Sequence, residues 1–152
     1  MGKSDKELIM ESYDYLKNLC DFISEDYEYE FEKPATEEEI NNWVIENNIE
    51  IPSMFKEWLL LTKSCDMADR CWCIFWPEVE DEDNVLIGSF VGDGEYLYFS
   101  GKTGEFYTIF DGEVEEYDSF DSVLAYISAD LEEKAEEIYG EDWSDEFDEK
   151  YD

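Results

Sequence analysis

The chain has 152 residues, with 44 Asp and Glu against 10 Lys and Arg, and a formal net charge of −34. A charge of that size repels phosphate and anionic membranes, so it argues against direct nucleic-acid or membrane binding and for a basic protein partner, the alternative being a charge that only confers solubility or reflects a salt-rich environment. Aromatic residues make up 17% of the chain, enough apolar surface for one domain's core, and no run approaches the about 20 apolar residues of a membrane span.

The opening MGKSDKELIM is charged and then amphipathic, unlike a secretory signal, and Lys6 leaves a myristoylation pattern incomplete. A cytoplasmic location is therefore expected. Ser4 and Glu7 form a capping box ahead of Ile9, Tyr13, Leu16, Cys20 and Ile23, so a helix is predicted from about Asp5 to Ser24. Acids and aromatics alternate over 26–33, which predicts an extended segment ended by Pro34. Thr36 and Glu39 make a second capping box before Ile40, Trp43 and Val44. After Asn47-Asn48 and Pro52, the residues Phe55, Trp58, Leu59 and Thr62 line a third helix predicted from Ser53 to Lys63.

Ser64 to Asp69 reads as a loop and Arg70 to Trp76 as a first strand with two apolar faces. Pro77 to Asp83 (PEVEDED) reads as an acidic connection with five carboxylates. The stretch from Asn84 to Tyr117 then carries three aromatic and β-branched runs, 85–91, 96–99 and 106–110, punctuated by Gly92-Asp93-Gly94, by 100–104 and by Asp111-Gly112. Such runs joined by tight turns form an antiparallel meander. Asp118 or Ser119 caps a last helix with the stripe Phe120, Val123, Leu124, Ile127, Leu131, Ala135 and Ile138, which Gly140 stops. Residues 141–152 form an acidic tail with Trp143, Phe147 and Tyr151 at a spacing of four, which fits either a docked terminal helix or a frayed end.

Four cysteines, Cys20, Cys65, Cys71 and Cys73, are expected as reduced thiols without a disulfide. With no C-x-x-C pair and no histidine, a metal site is not expected, nor is any cofactor. Carboxylate pairs are unavoidable among 44 acids, and the chain has no nucleophile elbow or phosphate-binding loop. An enzyme is not expected.

Two blocks resemble a known family. ATEEEINNWVIENNIEIPSMFKEWLLLT is similar to the helical signature of the SUKH superfamily, with Glu39, Ile40, Trp43, Ile51, Pro52, Phe55, Trp58 and Leu59 in its roles. LIGSFVGDGEYLYFSGKTGEFYTIF resembles its strand, glycine-turn, strand core, and DSFDSVLAYI its closing segment. The chain departs from the pattern at Lys63-Ser64-Cys65, where glycine is usual, and at Ser100, where aspartate is. The resemblance, which covers about Phe31 to Ile127, implies an α+β fold, a mostly antiparallel sheet of about four to six strands with helices packed against it, in a single domain expected over 1–140 with 141–152 as an acidic tail. It also implies a bacterial immunity protein that neutralises a cognate toxin domain, often a nuclease; the alternative is a regulatory or scaffold module of the same fold.

Three acidic surfaces are candidates for the partner: the 77–83 connection, the Glu113-Glu115-Glu116 cluster and the tail after Gly140. Short turns hold carboxylates more rigidly than a terminus does, which lowers the ordering cost of binding. The expected partner-binding residues are therefore Glu78, Glu80, Asp81, Glu82 and Asp83, extended by Asp93 and Glu95.

Overall fold

A computed structural model describes residues 2–90 and 94–151. Its helical layer begins with α1 (Asp5–Phe22), capped by the Ser4 hydroxyl, which accepts the Glu7 N–H at 3.2 Å. Helix α2 (Glu37–Asn47) starts with the full capping box. Thr36 Oγ1 accepts the Glu39 N–H, and the Glu39 carboxylate accepts the Thr36 N–H, both at 3.1 Å. Helix α3 (Ser53–Leu59) is four residues shorter than its apolar pattern suggests. The Leu59 carbonyl accepts the Ala35 N–H at 2.9 Å, and the next residues pair with the chain before α2: Lys63 N–H with the Lys33 carbonyl, Glu32 N–H with the Ser64 carbonyl. The buried Thr62 hydroxyl, 2.8 Å from the Glu32 carbonyl, closes that exchange.

The sheet has seven strands in sequence order, all neighbours antiparallel. They are β1 (Glu30–Phe31), β2 (Cys65–Met67), β3 (Trp72–Val79), β4 (Asn84–Phe90), β5 (Glu95–Ser100), β6 (Phe106–Phe110) and β7 (Glu113–Tyr117). The fold class is α+β as expected, with one strand beyond the expected range. Residues 65–67 are not loop, because β1 and β3 supply hydrogen-bonding partners on both sides.

Alternation sorts the strands into two faces. Ile74, Val85, Ile87, Phe90, Leu97, Phe99, Phe106 and Thr108 are buried toward the helices. Helices α1, α3 and α4 (Phe120–Tyr139) close over them, with Phe120 edge-on to both Phe55 (5.2 Å) and Trp58 (5.8 Å). Gly88 sits at the β4 bulge, where a Cβ would stand 2.6 Å from the Cys73 carbonyl oxygen, so no larger residue fits. Helix α5 (Trp143–Tyr151) settles the choice left open for the tail: Phe147 is buried, its ring 5.4 Å from that of Phe22 and 5.7 Å from that of Tyr15. No helix among the described residues is long and apolar enough to cross a membrane.

Candidate partner-binding surface

The acidic connection is half strand. Strand β3 continues through Pro77 to Val79, with its register shifted between Ile74 and Glu78. Proline has no N–H for the ladder, so it suits such an irregularity. Its carbonyl accepts the buried Trp43 indole N–H at 3.0 Å, which ties α2 to the bulge. The shift turns Pro77 inward and leaves Glu78 exposed, opposite Leu86.

The turn that follows, 80–83, is organised by Asp81. Its Oδ1 accepts the backbone N–H of Asp83 (2.8 Å) and of Asn84 (2.9 Å), and its Oδ2 accepts the Asn84 amide at 3.0 Å. These bonds, the Asn84 side chain first, favour the ionised form and hold the Asp81 carboxyl below its usual range. The neighbouring β5–β6 turn locks on from the side. Gly101 N–H donates to the Asp83 carbonyl at 3.1 Å, Lys102 Nζ lies 3.1 Å from Asp83 Oδ1, and the Tyr107 hydroxyl donates to Asn84 Oδ1. A Cβ at position 101 would stand 2.4 Å from the Glu82 carbonyl oxygen, so the two turns touch backbone to backbone. A cleft of about 360 Å³ opens beside them, between Asn47-Asn48, Val79 and Lys102.

The expected residues therefore divide. Glu78, Glu80, Asp81, Glu82 and Asp83 gather at one end of the sheet. Asp93 lies outside the described residues. Glu95 does not join them: it pairs with Phe90 at the far end of β4, about 20 Å away along seven residues of strand. Successive hairpin turns of a meander fall at alternate ends, and that separates the two sites. Glu95 instead faces α4, where burial first, then the charges of Glu95, Glu115 and Asp130, raise the Tyr126 phenol above its usual range. Within the cluster, Asp81 and Asp83 hold the turn, whereas Glu78, Glu80 and Glu82 face solvent. The other candidates lie apart: Glu113, Glu115 and Glu116 are exposed on β7, at the sheet's edge, and of the tail's acids Asp145, Glu146, Asp148 and Glu149 ride on α5.

The sheet's outer face was not among the expected sites. One cross-strand row runs Glu78, Leu86, Tyr98, Tyr107, Glu116 and another Ser89, Tyr96, Ile109, Val114. The Tyr98 and Tyr107 rings stack, 5.6 Å apart and 15° from parallel. Burial, and then a hydrogen bond with the Glu80 side chain, pushes the Tyr98 phenol up to about 12. The signal was present in the sequence, since YLYF and FYTIF are apolar at both strand parities.

Among the described residues no group of three or more His, Cys, Asp or Glu is placed to hold a metal ion. The four thiols are free, and burial first pushes Cys20 up to about 12 and raises Cys65 well above its usual value, so both are protonated at neutral pH. No family model, no curated protein and no solved structure matches this chain.

Proposed function

We propose that the chain is a cytoplasmic inhibitory binding protein, an immunity protein that occupies the basic active-site face of a toxin domain, a nuclease in the simplest case. The observation that carries this reading is the β3–β4 turn, where solvent-facing Glu78, Glu80 and Glu82 stand on a backbone clamped by Asp81 and by the Lys102 turn. Carboxylates fixed before binding lose little freedom on docking. Their charge, within a total of −34, speeds encounter with a cationic face about 10–1000-fold at low salt. A nuclease needs such a face to hold its polyanionic substrate, so covering it inhibits. The similarity of the helical and meander blocks to SUKH immunity proteins points the same way.

The test is enzymatic. A basic nuclease domain encoded beside this chain is assayed with and without one equivalent of the protein, and loss of nucleic-acid cleavage is expected. Neutralising Glu78, Glu80 and Glu82 to Gln leaves the Asp81 clamp intact and slows association about tenfold or more. Binding without loss of cleavage would make the protein a scaffold rather than an inhibitor. Full inhibition by the triple variant at an unchanged association rate would remove this turn from the interface.

A further inference from the structure

Antiparallel sheets that face water on one side usually alternate apolar-in with polar-out. This sheet does not. Its helices cover the face of Phe99 and Phe106, yet the opposite face carries Leu86, Tyr96, Tyr98, Tyr107, Ile109 and Val114. Tyr96 remains 44% exposed and Val114 59%, and Tyr107 is half-buried, whereas Tyr98, stacked on Tyr107, is only 8% exposed. Carboxylates bracket this apolar ground: Glu78 and Glu116 end the tyrosine row, and Glu80 bonds to Tyr98 inside it.

We infer that this outer face is the docking platform, and that its occupant is an arginine-bearing segment of a basic protein, its guanidinium groups lying on the accessible rings of Tyr96 and Tyr107 and pairing with Glu78, Glu80 and Glu116. The inference rests on the reading of the chain as a binder of a basic partner and names what that partner presents. Charge complementarity selects the sign. The aromatic rows select the residue, because a guanidinium is planar, weakly hydrated and able to stack on a ring while donating to carboxylates at its edge. A lysine ammonium is a strongly hydrated point charge that gains less from the rings. A second copy of the chain is disfavoured: a two-fold contact would press the same carboxylate-bracketed patch against itself, with no cations on it to pair with Glu78, Glu80 and Glu116, in two molecules each carrying −34.

Oligo-arginine and oligo-lysine peptides of equal length provide the probe, titrated at physiological salt by calorimetry and by amide chemical shifts. The arginine peptide is expected to bind about tenfold tighter, shifting amides of β5, β6 and β7. Tyr96→Ala, at an exposed position, and Tyr107→Leu should cut that preference to about twofold or less, while Tyr107→Phe keeps it. Matching thermal melts for Tyr96→Ala and wild type show that the fold is retained. Equal affinity for the two peptides, or a preference untouched by both tyrosine variants, would overturn the inference. So would arginine-peptide shifts confined to α5, or a salt-induced dimer whose shifts map to this face. Equal binding that is lost in the Glu78, Glu80, Glu82→Gln variant leaves the acidic-binder reading standing without this one. Failure of both peptides and of the basic nuclease domain to bind removes both.

Discussion

Replacing Trp43 and Trp58 separately by phenylalanine removes the same atoms from two buried sites whose indole N–H groups are served differently. Trp43 donates to the Pro77 carbonyl at 3.0 Å. Trp58 is fully buried, edge-on to Tyr13 (5.6 Å) and Phe120 (5.8 Å), and its Nε1 has no hydrogen-bond partner among the described residues. Either change leaves a small cavity costing on the order of 1 kcal/mol. Trp43→Phe also strands a buried carbonyl, adding about 1–3 kcal/mol, for a total of about 2–4 kcal/mol. Trp58→Phe removes an unsatisfied donor, a relief of about 1–3 kcal/mol that offsets the cavity, so its net effect should lie near zero or be slightly stabilising. Urea denaturation followed by far-UV circular dichroism measures both, with matched m-values confirming the comparison. Equal losses in the two variants would refute the reasoning, as would a Trp58→Phe loss above about 2 kcal/mol, which would mean that N–H is satisfied. Because the Trp43 bond sits on the β3 bulge, its variant should also shift the amides of Glu78 and Glu80, and Trp58→Phe should not.

Gly101→Ala would press a methyl group onto the Glu82 carbonyl, a backbone atom that cannot swing aside. It should cost about 1–3 kcal/mol in thermal or urea unfolding and raise amide exchange at Asp83 and Asn84; unchanged stability would show that the two turns separate freely. The Tyr98 phenol is raised in the folded state, so its contribution to stability is complete below pH 10 and lost as pH rises through about 12. Tyr98→Phe should therefore flatten the fall in urea midpoint between those values, and parallel curves for variant and wild type would contradict the assignment. Deleting 141–152 uncovers Phe22 and removes the buried Phe147, a loss of about 3–5 kcal/mol by the usual cost of removing a buried phenylalanine. A truncated protein within about 1 kcal/mol of the full chain would mean that α5 is not docked.

What the sequence determined by itself was local. The N-cap at Ser4, the capping box at Thr36, stripes of apolar residues at helical spacing and aromatic runs of strand each depend on neighbours a few residues away, and the structure has them where those signals stand, although at Ser4 only the hydroxyl half of the expected box forms. The acidic turn was legible for the same reason, and the separation of Glu95 from Glu80 could have been counted from the meander's alternating ends. Tertiary structure decided what depends on distant partners. Helix α3 ends at Leu59 because Ala35 takes its carbonyl, and 65–67 become a strand because two other strands flank them. Pro77 turns inward at the register shift between Ile74 and Glu78, where its carbonyl meets the Trp43 indole across 34 residues of chain. The division of labour within the turn, Asp81 and Asp83 holding it while Glu78, Glu80 and Glu82 face outward, follows from bonds that composition cannot assign. Which apolar face of the sheet stays open was likewise undetermined by alternation, since both parities are apolar. The packing of α1, α3 and α4 onto Phe99 and Phe106 decided it, because these helices close over one face and leave the stacked tyrosines on the other.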